Sequence, residues 1–176
     1  MDVFKIYFQR LSYNGQDYTK GRFLDPQQEM GLYCRSITLS PMQDMKDIVT
    51  LDWPGEDGVD VYVPGEIIGN AVPRMKSYDL NISFVWEGND SDWKQTLDAF
   101  ISFLKGGRLC YYDEFVKNGR KDVVLKRFEH DALYRNSMDG ITIFSVSASF
   151  LVGDPKTNVL PTVNQQGQIT GLEWQN

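Results

Sequence analysis

Four acidic residues in the stretch LDWPGEDGVDVYVPGE, residues 51–66, come closest to a metal-binding cluster: Asp52, Glu56, Asp57 and Asp60. Carboxylate oxygens are the ligands that Ca²⁺ prefers, and a calcium loop places them at alternate positions with a central glycine and a terminal glutamate. The order found here does not follow that pattern. We therefore expect no metal site and interpret these acids as part of a solvated turn.

The same stretch has the composition of a chain reversal. Trp53 precedes Pro54, which favours an extended conformation at Trp53. Gly55 and Gly58 supply the backbone freedom that a turn needs. We interpret the stretch as the bend of a structural scaffold rather than as a ligand-binding loop. Its candidate loop or interface residues are Trp53, Pro54, Gly55, Glu56, Asp57 and Gly58.

His130 is the only histidine, and the neighbouring Asp131 could orient it as a general base. Catalysis would also need a nucleophile or a metal partner beside it in a pocket. The two cysteines, Cys34 and Cys110, lie in apolar, strand-like contexts, so we expect buried free thiols. Neither a glycine-rich dinucleotide motif nor a P-loop is present. The sequence therefore predicts no enzymatic activity, no catalytic or metal-ligating residue and no cofactor.

Aromatic residues make up 13% of the chain, which is generous for a domain of this size. Several lie near the ends of predicted strands or in the C-terminal tail, and such residues are candidates for subunit interfaces, where tyrosine and tryptophan concentrate. The candidates are Tyr111, Tyr112, Phe115 and Trp174, together with Leu172 in the tail.

The length of the chain and its net charge limit the functions that this protein can have. At 176 residues the chain suits one domain, and its net charge of −6 comes without any run of lysine or arginine. A protein that binds the phosphates of nucleic acid needs clustered positive charge. We therefore predict that this chain does not have a nucleic-acid-binding function. An acidic wall would instead let a duplex slide past. No secretory signal and no apolar run of about 18 residues is present, so we expect a cytoplasmic origin and no membrane.

The second half of the chain carries the clearest structural patterns. Residues 77–87 alternate apolar and polar side chains, as in a half-buried strand. The stretch 92–105 has helical spacing, with Asp92 and Gln95 as a capping pair and Gly106–Gly107 as the stop. Further strands are predicted at 108–115, 122–130 and 140–153, with a tight turn at Asn118-Gly119. The last of these also alternates, with an apolar face opposite Ser145, Ser147 and Ser149.

The first half predicts strands at 4–11 and 31–41 separated by a loop, and at 47–53 and 59–68 on either side of the bend. Together these elements predict a mainly β (α+β) fold, an antiparallel β-sandwich or split barrel with one flanking helix at about 92–105. We assign residues 1–152 to this domain. Residues 153–176 are rich in Pro, Gln, Asn and Gly and predict a C-terminal arm that docks Leu172 and Trp174 on a neighbour.

The succession LDWPGEDGVDVYV, VPRMKSYDLNISFVWEG, WKQTLDAFISFLKGGRLCYYDE and VVLKRFE, over roughly residues 45–152, resembles the N-terminal domain of siphophage distal tail proteins. In that family a P-G-x-D-G turn is similarly followed by a strand with alternating hydrophobics, a short helix and another strand. The resemblance implies a tail-tube-like domain that assembles into a hexameric ring.

The resemblance also implies a location and partners. The ring would lie in the virion tail after synthesis in the host cytoplasm, joining the tail tube to the baseplate or tail-hub proteins. DNA would pass through it without specific binding, along a wall lined by some of the acids. The residues after 152 are too few for the carbohydrate-binding-like second domain of longer members, which leaves a tail tube subunit as the alternative. A monomeric carbohydrate- or peptide-binding β-domain is a further alternative.

Overall fold

The structure is a computed structural model that describes residues 5–38, 49–51, 54, 60–62, 75–136 and 138–174. It is mainly β and antiparallel, as the sequence predicts. Its eight-stranded sheet does not close into a barrel. Within the described ranges no helix is long and apolar enough to span a membrane.

The described part of the chain forms ten strands and two helices, and all of its paired strands are antiparallel. Their bounds are β1 Ile6–Tyr13, β2 Tyr18–Leu24, α1 Pro26–Met30, β3 Leu32–Ile37, β4 Val49–Leu51, β5 Asp60–Tyr62, β6 Tyr78–Asn89, α2 Trp93–Leu104, β7 Arg108–Asp113, β8 Asn118–Asn136, β9 Ile141–Val163 and β10 Ile169–Trp174. In the large sheet the strand order is β2-β1-β7-β8-β9-β6-β3, with β10 added to β9, while β4 and β5 form a separate antiparallel pair.

The large sheet curls so that its two halves face each other. Three strand spacings separate β1 from β9, which in a flat sheet would place them about 14 Å apart. The ring of Phe8 on β1 nevertheless lies 5.8 Å from that of Phe150 on β9 and 6.4 Å from that of Phe84 on β6. All three side chains are fully buried. The curl therefore encloses one apolar core between the halves.

The alternation predicted for β6 and β9 is confirmed. In β6 the side chains of Leu80, Ile82, Phe84 and Trp86 are buried and belong to the main core. On β9 the matching inward set is Phe144, Val146, Ala148, Phe150 and Val152. Helix α2 packs onto this core through four buried residues on one side: Leu97, Phe100, Phe103 and Leu104.

Strand β7 is buried on both faces, and this requires a second layer. Leu109 and Tyr111 face the main core, whereas Cys110 and Tyr112 face a smaller one. The smaller core is closed by Val159 of β9 and other residues of the C-terminal hairpin. Residues 153–176 were predicted as an arm, but their described part, 153–174, continues β9 to Val163 and returns as β10 across the back of the sheet.

Two elements lie where the sequence predicted only a loop. Strand β2 pairs with β1, and the single turn α1 links β2 to β3. The start of α1 is set by Asp25, whose carboxylate accepts hydrogen bonds from the backbone N–H groups of Gln27 and Gln28. Glu29 accepts a reciprocal bond from the N–H of Asp25, and Gly31 ends the turn with φ 66°. The prediction of one flanking helix therefore missed a short second one.

The predicted β7–β8 hairpin is confirmed as antiparallel, but its turn was placed wrongly. The reversal occupies residues 114–117, where Lys117 adopts φ 51°, and Asn118 is the first residue of β8. Strand β8 also continues to Asn136, beyond the predicted end at 130. The turn was misplaced at Asn118-Gly119 because the residue with the left-handed conformation is Lys117, which precedes that pair.

Helix α2 occupies the predicted position, but its capping differs. The side chain of Asp92 makes no capping bond to the helix. The C-terminal end is held from outside by Arg10 of β1, whose Nη2 donates to the carbonyls of Ser102 at 2.7 Å and Phe103 at 3.0 Å. A Cβ at Gly106 would lie 2.1 Å from Arg10 Cζ, so glycine is needed there for the approach. Arg10 thus places a positive charge at the negative, C-terminal end of α2 and links this helix to the sheet.

Replacing Phe8 by alanine tests the curl. We expect Phe8→Ala to lower the free energy of unfolding by about 3–5 kcal/mol, because it leaves a cavity between the two halves of the sheet. Urea unfolding followed by circular dichroism measures the change. Met138→Ala removes a side chain that is 95% exposed and should change stability by less than about 0.5 kcal/mol. Equal effects of the two variants would contradict the described core.

Candidate assembly surface

A polar face runs along the outside of the sheet formed by β8, β9, β6 and β3. We call it the serine face and define it by Asn81, Ser83, Ser145, Ser147 and Ser149. The hydroxyls of Ser83 and Ser147 are hydrogen bonded at 3.0 Å, and Ser147 donates to Asp131 at 2.6 Å. Ser149 donates to the amide oxygen of Asn81. The outward side that the sequence predicted as polar is thus joined by hydrogen bonds at Ser83, Ser147 and Ser149. On the same side of β9, Ser145 is buried, and Ile143 and Leu151 expose apolar side chains.

Charges around the serine face are of both signs. Lys126 pairs with Asp79 at 2.8 Å, and Arg127 pairs with Glu129. Glu87 lies on the same side of β6 and forms no ion pair with any described residue. Exposed ion pairs of this kind contribute little to stability. Their consequence is a surface that carries many hydrogen-bonding groups together with charges of both signs.

Among the described strands, both lateral edges of this four-stranded unit lack a partner. Strand β3 pairs with β6 on one side and with no other described strand. Strand β8 pairs with β7 only up to Val123, and from Val124 to Asn136 its described partner is β9 alone. Unpaired N–H and C=O groups along a strand form a template for another strand. The unit can therefore be extended at each edge.

Large apolar side chains are exposed at these two edges. Tyr33 on β3 is 44% exposed, while Leu133 and Tyr134 on β8 are 50% and 65% exposed. Scattered exposed hydrophobic residues are ordinary on proteins, but here they coincide with unpaired strand edges. Sequence reasoning missed Leu133 and Tyr134 because it ended the strand at 130. The signal was the run ALYRN, followed by the turn-forming Asp139-Gly140.

The projecting end of the β8–β9 hairpin is anchored to the start of α2 through Asp90. Its carboxylate accepts two hydrogen bonds of 2.6 Å from Arg135 and one of 2.7 Å from Thr142. Its backbone N–H donates to the carbonyl of Gly140. The Arg135 and Thr142 hydrogen bonds hold the pKa of Asp90 below its usual value. Asp90 thus orients the part of β8 that carries Leu133 and Tyr134.

The residues predicted around the bend lie mostly outside the described part of the chain. This applies to Trp53, Gly55, Glu56, Asp57 and Gly58. Pro54 is described as an exposed turn residue. The flanking strands β4 and β5 are antiparallel partners, with Leu51 opposite Asp60, as a bend between two strands requires.

The aromatic and tail candidates lie inside their own chain, with one exception. Tyr111 and Tyr112 are buried in the main and smaller cores, and Leu172 is fully buried in the smaller one. Trp174 packs against that smaller core, with the Lys20 and Lys121 ammonium groups over its ring at 5.5 and 5.6 Å. Leu172 and Trp174 thus dock on their own subunit, not on a neighbour. Phe115 is exposed in the β7–β8 turn.

The side chains considered for catalysis are not brought together. His130 is exposed and its ring lies against the edge of Phe128. The bulge after His130 turns Asp131 to the serine face, whereas His130 pairs with the inward Val146. Cys34 and Cys110 are free and buried, and burial raises the pKa of each thiol to about 12. Both thiols are therefore protonated at neutral pH. No cluster of potential metal ligands occurs among the described residues.

A buried carboxyl group occupies the end of β7. Asp113 is 2% exposed, and its Oδ1 accepts the backbone N–H groups of Phe115 and Val116, which shapes the β7–β8 turn. Its Oδ2 is buried without a hydrogen-bond partner. Burial raises the pKa of Asp113 despite the two N–H donors. The ionised form thus carries an uncompensated desolvation cost.

The charge of Asp113 should lower stability at neutral pH. Because the pKa is raised on folding, the contribution of this group is most favourable below the unfolded value of about 3.9 and decreases as the pH rises through the folded value. Asp113→Asn keeps the acceptor for the turn and removes the charge. We expect the variant to be more stable than the parent at about pH 7, with the advantage shrinking at about pH 4.

The measurement is urea unfolding of both proteins across this pH range. Asp98→Asn, on the exposed side of α2, is the matched control and should show no such pH-dependent gain. A loss of stability in Asp113→Asn at neutral pH would show that the ionised carboxylate is favourable in its place.

Removing the Asp90 carboxylate should loosen the hairpin without unfolding the core. We expect Asp90→Ala to speed amide hydrogen exchange in residues 133–136 and 141–143, while Phe84 and Ala148 keep their protection. Hydrogen exchange followed by mass spectrometry measures this. Asp139→Ala removes another acid near the hairpin tip and is the control. Unchanged exchange in Asp90→Ala would show that pairing with β6 alone holds the hairpin.

Comparison with known proteins adds no family to these observations. No protein-family model matches the chain, and no curated protein matches it. The function is therefore argued from the sequence pattern and from the surfaces described above.

Proposed function

We propose that this protein is a structural subunit of a phage-type tail that forms a ring at the distal end of the tail tube. The ring would connect the tube to the baseplate and let DNA pass. One observation supports this most directly: a four-stranded unit with a polar outer face and two open edges, each edge carrying exposed apolar side chains. The order of sequence elements, similar to that of distal tail proteins, points in the same direction.

Strand direction permits the sheet to continue from one subunit to the next. Neighbouring strands in the unit β8-β9-β6-β3 are all antiparallel, and the unit has an even number of strands. Around a rotation axis, β3 of one subunit would therefore meet β8 of the next in the antiparallel sense. The two edges differ, so the interface is heterologous, and such interfaces close into rings when the rotation allows.

Simple geometry gives the size of such a ring. Six copies would contribute about 24 strands, and at about 4.8 Å per strand the backbone circumference is about 115 Å, or a diameter of about 37 Å. Strand tilt widens this further. Barrels with fewer strands already enclose aqueous channels, so the proposed ring would be open at its centre.

The serine face would form the channel wall. The opposite face of the sheet is covered by α2 and by the facing half of the curl, which leaves the serine face as the free surface. It bears hydroxyl and amide groups, paired charges and Glu87, which has no ion-pair partner among the described residues, together with the exposed apolar side chains of Ile143 and Leu151. A wall of this kind hydrates well and lacks the cationic clusters that would hold phosphates.

Two charge-insertion variants test the heterologous interface. Tyr33→Asp alters the β3 edge and Tyr134→Asp the β8 edge, so each variant alone should fail to form rings. Mixed in equal amounts, they should form a dimer and stop, because only one of the two possible interfaces is then free of a mutation. Light scattering after size-exclusion chromatography measures the masses. Tyr13→Asp, on a tyrosine that is 52% exposed but away from both edges, should assemble like the parent.

The outcomes separate the proposal from its alternatives. Rings of about six copies in the parent protein support the ring, and negative-stain images show whether the centre is open. Spontaneous stacking of rings into long tubes would favour a tail tube subunit over the distal ring. A parent protein that stays monomeric at high concentration, with no dimer in the mixture, would overturn the proposal and favour a monomeric binding domain.

A further inference from the structure

Arg120 is a buried cation without an anionic partner. The residue is 9% exposed, lies on β8 opposite Tyr111, and forms no ion pair with a described residue. Buried charges are normally paired, because removing an ion from water is costly. The nearby buried acid Asp113 makes its own hydrogen bonds to the turn and does not contact the guanidinium. The missing partner is the first sign of a ligand site.

The hydrogen bonds of Arg120 are unevenly distributed over its guanidinium. Nη1 faces three oxygen atoms: Oδ1 of Asn118 at 2.6 Å, the carbonyl of Gly119 at 2.8 Å and Oδ1 of Asn158 at 2.5 Å. Nε is buried, and no described residue accepts a hydrogen bond from Nε or from Nη2. Nε and Nη2 form the planar edge that binds a carboxylate through two parallel bonds. That edge has no acceptor among the described residues, with Nε enclosed by protein, while Nη1 is held in place.

The surroundings of Arg120 are those of an anion site. An open cavity of about 530 Å³ borders it, between the β7–β8 turn and β9, and the described lining contains no acid although the chain carries a net charge of −6. Lys117 lines the same cavity and forms no ion pair with a described residue. The amide oxygens of Asn118 and Asn158 bond to Arg120, so their N–H₂ groups remain as further donors.

The walls of the cavity are apolar beside these donors. Val116, Val159 and Leu160 belong to the lining, and Val116 and Leu160 are partly exposed there. An inorganic ion would gain nothing from such walls, whereas a carboxylate on a short hydrocarbon stem would contact both parts.

We propose that the cavity between the β7–β8 turn and β9 is a carboxylate-binding site in which Arg120 receives the carboxylate and Lys117 adds a second positive charge. Two sources have this chemistry: the side chain of an aspartate or glutamate on a second copy of the chain, and a free short-chain carboxylate. The binding itself does not depend on the ring proposed above, since both sources present the same group.

Propionate is the probe, because it has a carboxylate and a short apolar stem. The test compares chemical-shift titrations of dilute protein with sodium propionate and with sodium chloride at equal ionic strength. We expect saturable shifts around residues 116–120 and 158–160 with propionate only. Arg120→Gln should weaken binding about tenfold or more. Lys117→Gln, on an exposed residue, should weaken it by a smaller factor without affecting the fold. Lys94→Gln on α2 removes the same charge elsewhere and should bind like the parent.

The results test whether the cavity binds a carboxylate and which of the two sources supplies it. Equal effects of propionate and chloride, or unchanged propionate binding in Lys117→Gln and in folded Arg120→Gln, would overturn the proposal. Saturable binding supports it, and light scattering then identifies the source. If propionate lowers the mass of assembled protein, the occupant is an acidic side chain of a second copy. If it binds without changing the mass, the occupant is a free carboxylate.

Discussion

The contact of Phe8 with Phe84 and Phe150 is the interaction on which the rest of this structure depends. It joins strands that lie three and four positions apart in the same sheet, so it exists only because the sheet curls. The curl buries the inward side chains of β1, β7, β9 and β6 in one core, and α2 covers the remaining side. Burial of this apolar surface is the main favourable term in the stability of the domain.

The curl also decides which surfaces remain available. Because the inward face is filled, the polar residues of β6 and β9 are displayed together on the outside as the serine face. Strand β3 is the last strand of the sheet, and β8 extends beyond the end of β7, so neither β3 nor the distal part of β8 has a second partner among the described strands. A heterologous ring interface needs two different surfaces on each subunit, and these two edges differ.

The C-terminal hairpin shows why composition misled the sequence reasoning. The last residues are rich in Pro, Gln, Asn and Gly, as in a flexible tail, yet they complete a second core. Gln9 and Leu172 illustrate how. Gln9 accepts a hydrogen bond from the backbone N–H of Leu172, although 163 positions separate them. No local pattern can report such a contact, because the partners meet only after the sheet has formed.

The sequence by itself determined the elements whose patterns are local. The alternation in β6 and β9 and the amphipathic spacing of α2 identify a mainly β fold with a packed helix, since side-chain periodicity follows directly from backbone geometry. The tertiary structure decided what lies beyond that range. It buried Tyr111, Tyr112 and Leu172, exposed Tyr134 on the distal part of β8, and left Arg120 buried with no counter-charge among the described residues. The physical reason is that burial and pairing depend on which strands become neighbours, and that depends on contacts far apart in the chain.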